Sequence, residues 1–370
     1  MTKIIKPAVH GGNLQQAAEL YGVKSDDFLD FSANISWLGP PPGINEAIER
    51  GISVMQHYPD PKSRNLVQAI AHATNLPPDH ILVGNGSIEL IYALLRGLGQ
   101  QRALVAEPTF NEYARAVQLV GGEVTSFQLL AEQDWKVDLK SVAERLENVD
   151  LVFLCNPNNP TGQLLPKREL VWFIEEAKKH GTMVIVDEAF LDFVEDFADC
   201  TYSVLDLVTF VDNLVVLRSF TKFFAIPGLR LGFCVASPSL IRLISANQEP
   251  WTVNCIAQSV GELLVADILA PFRKQVRQKI QESRDQMVTA LTEKCRIRSW
   301  GQVNYLFLDL GVGVDGAALT SALGYQGLLV RDCNSFGKRF GHYLRVAVRS
   351  PEENSHLVRI LELVLREARR

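Results

Sequence analysis

The stretch Leu151-Val152-Phe153-Leu154-Cys155-Asn156-Pro157-Asn158-Asn159-Pro160-Thr161-Gly162 is an apolar run that stops abruptly in asparagine, proline and glycine. A run with no polar break does not alternate between core and solvent, so it predicts a strand covered on both faces, as in a parallel sheet. The pattern repeats outward along the chain. It recurs in Ile81-Leu82-Val83, Ala103-Leu104-Val105, Met183-Val184-Ile185-Val186, Leu214-Val215-Val216-Leu217 and Leu231-Gly232-Phe233-Cys234-Val235. Helical patterns between the runs read as crossovers, one of them over 164–180 with Gly181 as its stop. The middle of the chain is therefore read as a layered α/β domain with a mostly parallel sheet.

After Pro250 the pattern changes. A long helical stretch covers 256–296, broken near Pro271, and is followed by strand-like runs over 303–310 and 343–348. The final helix opens with Ser350-Pro351-Glu352-Glu353, a capping box with proline at the first helical position. The opening segment is rich in Gly, Pro and Asn and poor in periodicity, which reads as an arm crossing the surface. The expected organisation is an arm over 1–45, a large α/β domain over 46–250 and a smaller α+β domain over 251–370.

Composition narrows the function. The 370 residues carry 37 basic and 42 acidic side chains, a net charge of −5, which argues against a non-specific hold on nucleic acid. No apolar run approaches the ~18 residues of a membrane span. The opening residues 1–7 lack an apolar signal region and meet Pro7 at once, so the expectation is a cytoplasmic protein. The 6 cysteines show no CxxC pair and the 7 histidines no metal spacing, so neither a disulfide framework nor a metal site is expected.

In an open α/β sheet, ligands sit beyond the carboxyl ends of the strands. Gly84-Asn85-Gly86-Ser87, Pro108-Thr109-Phe110, Asn156 to Gly162, Asp187-Glu188-Ala189-Phe190 and Ser219-Phe220-Thr221-Lys222 each follow an apolar run. Each cluster alone has an ordinary reading: a turn before a helix, a capping aspartate, a surface lysine. Together they suit one cofactor. Gly86 and Ser87 open a helix whose N–H groups suit a phosphate. Asp187 ends a very apolar strand and needs a partner. Lys222 between hydroxyl residues and aromatics suits an amine nucleophile toward an aldehyde. Acid, amine and anion site are the three handles of pyridoxal phosphate. Phe110 adds a ring face, Asn159 a side chain for the phenolate oxygen and Arg230 a fixed positive charge.

The stretch Ser219-Phe220-Thr221-Lys222-Phe223-Phe224-Ala225-Ile226-Pro227-Gly228-Leu229-Arg230-Leu231-Gly232 resembles the lysine-attachment motif of class I/II pyridoxal-phosphate-dependent aminotransferases. The order Gly-Asn-Gly, Asn-Pro-Thr-Gly, Asp-x-Ala, Ser-x-x-Lys, Gly-x-Arg-x-Gly is similar to that superfamily across most of the chain. The resemblance implies a fold-type-I homodimer with each site at the subunit interface. It also implies a cofactor set of Gly86, Ser87, Phe110, Asn159, Asp187, Ser219, Lys222 and Arg230. Tyr58, in His57-Tyr58-Pro59-Asp60, is similar to the tyrosine that reaches the neighbour's cofactor phosphate.

Within the superfamily, His10-Gly11-Gly12-Asn13, Asp30-Phe31-Ser32-Ala33-Asn34-Ile35 and Tyr343-Leu344-Arg345-Val346-Ala347-Val348-Arg349-Ser350 resemble the threonine-phosphate decarboxylases of cobalamin biosynthesis. The chain departs from that branch at Ser36-Trp37, where Asn-Pro is expected. It departs from the superfamily at Phe190, where a tyrosine usually donates to the phenolate oxygen, leaving Asn159 as the main tuning contact. The resemblance assigns Arg345 to the substrate carboxylate, Arg331 to its phosphate, and His10, Gly11 and Asn34 to closure over the substrate. The expected reaction is decarboxylation of O-phospho-L-threonine, a small phosphorylated amino acid, to (R)-1-aminopropan-2-yl phosphate. The alternative is an aminotransferase for histidinol phosphate or a related compound. A non-enzymatic module on the same fold is opposed by the joint presence of Lys222, Asp187, Asn159 and Arg345, and by the lack of a basic helix-turn-helix extension.

Overall fold

The computed structural model describes residues 11–196 and 201–368; His10, the opening residues 1–7 and Cys200 lie outside the described residues. In chain order, β1 (Leu29–Asp30) belongs to the amino-terminal segment. Then come β2 (Ile81–Gly84), β3 (Arg102–Glu107), β4 (Glu123–Gln128), β5 (Leu151–Cys155), β6 (Met183–Asp187), β7 (Leu214–Ser219) and β8 (Gly232–Ala236). The remainder are β9 (Arg298–Trp300), β10 (Tyr305–Asp309), β11 (Leu328–Leu329), β12 (Arg331–Asp332) and β13 (Tyr343–Ala347).

The large sheet is seven-stranded in the order β2-β8-β7-β6-β5-β3-β4. Its strands run parallel except β8, which is antiparallel to both β2 and β7. Both faces are covered, as the unbroken apolar runs require. Val152, Leu154, Val184, Val186 and Val216 point into one core, while Leu151, Phe153, Ile185, Val215 and Leu217 point into a second on the opposite face. Each such fully buried Val, Ile or Leu contributes about 1.5–3 kcal/mol relative to exposure. The crossover read over 164–180 is the helix Lys167–Lys179, and Gly181 follows with φ 69°.

The smaller sheet, β12-β13-β10-β9, is antiparallel. Leu306, Leu308, Leu344 and Val346 bury one face against Leu357 and Leu361 of the helix Pro351–Ala368. Tyr305, Phe307 and Tyr343 on the other face join the main core and tie the two sheets together. The capping box forms as read: Glu353 N donates to Ser350 Oγ at 3.2 Å, and Ser350 N to the Glu353 carboxylate at 3.1 Å. The 256–296 stretch holds two α-helices, Cys255–Leu264 and Ala270–Ala290, the second preceded by a 3-10 turn at Asp267–Leu269 and continued by a π turn at Leu291–Cys295; Pro271 lies in its first turn, where its missing N–H costs nothing. Among the described residues, no single helix is long and apolar enough to cross a membrane. One pair, Cys255–Leu264 with Asp267–Cys295, passes that test jointly but is bent by 66°.

Several elements escape the sequence reading. The opening segment holds a helix, Leu14–Tyr21, capped by the Asn13 side chain and stopped by Gly22 at φ 69°. It also holds β1, which pairs in parallel with β11. Strand β4 is mostly exposed at the sheet edge, so its sequence lacks the apolar run that marks its neighbours.

The carboxyl ends of β6 and β7 are bound together by a buried ion cluster. Arg218 donates to Glu188 at 3.0 Å and also to the Asp192 carboxylate, while Glu188 accepts from Ser203 Oγ at 2.7 Å and Val204 N at 2.9 Å. Removing one member of a buried pair strands the opposite charge. Arg218→Met, close in volume, is therefore expected to destabilise the fold by about 3–5 kcal/mol. A denaturation midpoint equal to that of the unmodified protein would contradict this.

Candidate active site

The carboxyl edge of the large sheet gathers the polar clusters that follow β2, β3, β5, β6 and β7. The antiparallel β8 brings a further group to the same edge. Because Ser219 pairs with Gly232, the loop between them closes back on its own start and carries Lys222 and Arg230 together. Two adjoining cavities open there and share Gly11, Phe110, Asn159, Phe190 and Lys222. The inner one, about 410 Å³, is large enough for a small cofactor. The outer one, about 170 Å³, lies toward the smaller sheet.

In the inner cavity, Lys222 Nζ donates to Ser219 Oγ at 3.2 Å and sits 5.7 Å from the Phe190 ring centroid. Burial pulls its pKa down to about 8; Asp187 opposes that shift and Arg230 reinforces it. Asp187 ends β6 fully enclosed. Burial raises its pKa, while the Tyr113 hydroxyl, the Lys222 charge and the Ala189 N–H hold it down. Tyr113 Oη donates to Asp187 Oδ2 at 2.6 Å, and Ala189 N to Oδ1 at 3.0 Å.

The opposite wall is the start of the helix Ser87–Leu98, preceded by Gly86 at φ 77°. A Cβ on Gly86 would come within 2.5 Å of Arg230 Nη2, so only glycine lets the guanidinium lie against the helix start. Backbone N–H groups, helix dipole and guanidinium together make an anion cradle. Phe110 lines both cavities. A near-neutral amine, a buried acid, an aromatic face and an anion cradle around one cavity fit pyridoxal phosphate.

The outer cavity is dominated by two arginines. Arg331 of β12 and Arg345 of β13 are direct cross-strand partners, 6% and 7% exposed. Arg345 donates to Asn159 Oδ1 at 2.6 Å and to the Ser32 carbonyl at 2.5 Å. Burial and the neighbouring Arg331 pull its pKa down to about 10. Like charges directly opposite each other are unfavourable, and an anion between them removes the penalty. Asn34 is 5% exposed and its side-chain amide has no hydrogen-bond partner on either atom. A buried amide left unpaired costs about 1–3 kcal/mol, which a ligand in this cavity would recover.

The arm residues are held against these groups. Gly12 N donates to Ser32 Oγ at 2.9 Å, and a Cβ on Gly11 would meet the Ser32 carbonyl oxygen at 2.3 Å. Of the site residues read from the sequence, all line one of the two cavities except Tyr58 and His10. Tyr58 is 79% exposed and stacks on Trp251, with ring centroids 4.6 Å apart. His10 lies outside the described residues. Asn159 Oδ1 accepts from Arg345, and that bond leaves the Nδ2 donor, the group a phenolate oxygen requires, uncommitted. Tyr113 and Ser32 were not singled out from the sequence. Tyr113 was findable, since it lies one helical turn beyond Phe110 on the apolar face of the helix Glu112–Leu119.

Residues 26–361 match the family model for aminotransferase class I and II. The threonine-phosphate decarboxylase of Salmonella typhimurium is 34% identical over 361 residues, 97% of this chain and 97% of its own length. An adenosylcobalamin biosynthesis bifunctional protein of Leptospira interrogans is 30% identical over 94% of this chain and 40% of its own. Among solved structures, the histidinol-phosphate aminotransferase of Clostridium acetobutylicum superposes with a TM-score of 0.84 at 27% identity, covering 92% of this chain and 99% of that one.

The environment of Lys222 has a measurable consequence. Its folded pKa lies below its unfolded one, so the unfolded chain binds more protons between about pH 8 and 10.5, and stability rises with pH across that window. In the cofactor-free protein, acylation of Lys222 by an amine-selective reagent should reach half its maximal rate near pH 8, ahead of ordinary lysines at about 10.4. Peptide mass spectrometry reads this directly. A Lys222 midpoint that coincides with the surface lysines would contradict the assignment.

Proposed function

This chain belongs to the class I and II aminotransferase family, and we propose that its site binds pyridoxal 5'-phosphate and decarboxylates O-phospho-L-threonine to (R)-1-aminopropan-2-yl phosphate and carbon dioxide. The reaction belongs to cobalamin biosynthesis. The observation that carries the reading is the facing pair Arg331 and Arg345, with the unpartnered Asn34 amide, in a cavity continuous with Lys222 and Asp187. Such a wall asks for a ligand with two anionic groups, which a phosphorylated amino acid supplies.

When bound, pyridoxal phosphate provides an aldehyde that takes up an amine and a ring that accepts the electron pair left as carbon dioxide departs. The chain does the rest. With a pKa pulled down to about 8, Lys222 Nζ has a substantial neutral fraction near that pH, the form of an amine that adds to an aldehyde. The Asp187 carboxylate keeps a proton on the ring nitrogen. Gly86, Ser87, Ser219 and Arg230 hold the phosphate end and Phe110 covers the ring. Arg345 takes the substrate carboxylate, its orientation set by Asn159 and Ser32, while Arg331 takes the substrate phosphate and His10, Gly11 and Asn34 close over the substrate. Gripped at both ends, the substrate would be unable to rotate freely, so these residues would select which Cα bond is presented for cleavage. One proton replaces the lost carboxylate at Cα, and Lys222 Nζ is the group facing the cavity that can deliver it.

The proposal extends to assembly, organisation and location. The chain acts as a homodimer in which Tyr58 of one protomer completes the phosphate site of its partner. The arm over 1–45 closes on a large domain over 46–250 and a small one over 251–370, and the protein works in the cytoplasm.

O-phospho-L-threonine alone should yield carbon dioxide and aminopropanol phosphate, with no keto-acid acceptor. Arg331→Ala should lower kcat/KM for that substrate by about 100-fold or more and leave little preference over threonine. Brisk turnover of histidinol phosphate with 2-oxoglutarate, without release of carbon dioxide from phosphothreonine, would instead establish the aminotransferase reading. Assembly has its own test. Two inactive variants, one altered at Tyr58 and one at Lys222, should regain partial activity when mixed, since one site of the mixed dimer keeps both residues. No recovery after proven subunit exchange would count against a shared site.

A further inference from the structure

Tyr113 has no role in the chemistry so far, yet it is fully enclosed and touches the buried acid of the site. Its ring is fully buried, stacked on Phe153 at 4.7 Å with planes 4° apart, and meets Phe110 edge-to-face at 5.4 Å. These contacts fix the hydroxyl oxygen 2.6 Å from Asp187 Oδ2, with the Cys155 thiol as its other polar neighbour. The other carboxylate oxygen accepts from Ala189 N at 3.0 Å, so both are held by fixed donors. Other titratable groups face the same carboxylate. Cys155 lies opposite Asp187 in the β5–β6 register, and burial pushes its thiol up to about 12, so it stays neutral. Lys222 acts on Asp187 through its charge.

From this geometry we infer that Tyr113 is a positioning residue: its hydroxyl fixes the Asp187 carboxylate and holds it ionised, so that the proton between Asp187 and the ring nitrogen of bound pyridoxal phosphate stays on the nitrogen. The inference rests on the cofactor reading above. A hydrogen bond donated to a carboxylate favours its charged form, whereas burial favours the neutral one. With the hydroxyl removed, burial is opposed by one donor fewer, and the proton passes from the ring nitrogen to an Asp187 oxygen. The ring is then a poorer acceptor of the electron pair released at Cα.

The test loads the protein with pyridoxal phosphate labelled with ¹⁵N in the ring and compares the unmodified chain, Tyr113→Phe and Asp187→Asn by NMR. Tyr113→Phe keeps the stack on Phe153 and loses only the donor. Its ¹⁵N signal is expected to move from the protonated position toward that of Asp187→Asn. In parallel, kcat should fall about 10- to 100-fold while KM changes by less than about twofold. In an Asp187→Asn background, Tyr113→Phe should cause no further ¹⁵N movement, because the group it acts through is gone. A Tyr113→Phe signal that coincides with the unmodified protein from acidic to alkaline pH overturns the inference and leaves the cofactor reading intact. An unmodified protein that binds no pyridoxal phosphate overturns both.

Discussion

A carboxylate at the end of a wholly apolar strand sets the terms for the rest of this molecule. Asp187 is carried into the core by Val184, Ile185 and Val186, which are completely enclosed. An ionised group so placed survives only with fixed partners. The surroundings supply them: hydroxyl and amide donors on the two oxygens and a lysine charge beyond, while a separate cluster pairs Arg218 with the neighbouring Glu188 and Asp192. The same low-dielectric setting depresses the Lys222 pKa. Acid and amine thus derive their opposite shifts from one source, removal from water, and each partly compensates the other.

The outer cavity obeys a different rule. There the chain places two guanidinium groups in register on neighbouring strands and leaves an amide without a partner. Both are unfavourable in isolation. Local arrangements that cost stability without a structural return mark where a fold serves binding. The small sheet is held rigidly enough to impose this, since one of its faces is part of the main core.

Much of this was legible because it is written in contiguous residues. The apolar runs, the polar clusters after them and the capping box at Ser350 each need only neighbours in sequence, and each forms where expected. The inner cavity was legible for the same reason, since its groups fall at strand ends. The parts that escaped depend on distant pairing. The helix Leu14–Tyr21 lies in a segment whose glycine and asparagine content masks it, and β1 exists through its pairing with β11 almost three hundred residues away in sequence (Leu29 with Leu328). The link from Asn159 to Arg345 likewise spans the two sheets, and no local pattern announces it.

The loop from Ser219 to Gly232 has a consequence for what the inner cavity admits. Its two ends are clamped to each other by strand pairing, and the amine at Lys222 and the guanidinium at Arg230 ride on the same short piece of chain. Both groups are thus anchored to the large sheet alone, and covalent length sets an upper bound on their separation. Under the proposed assignment the loop would act as a caliper, matching the span from aldehyde to phosphate independently of the groups on the small sheet.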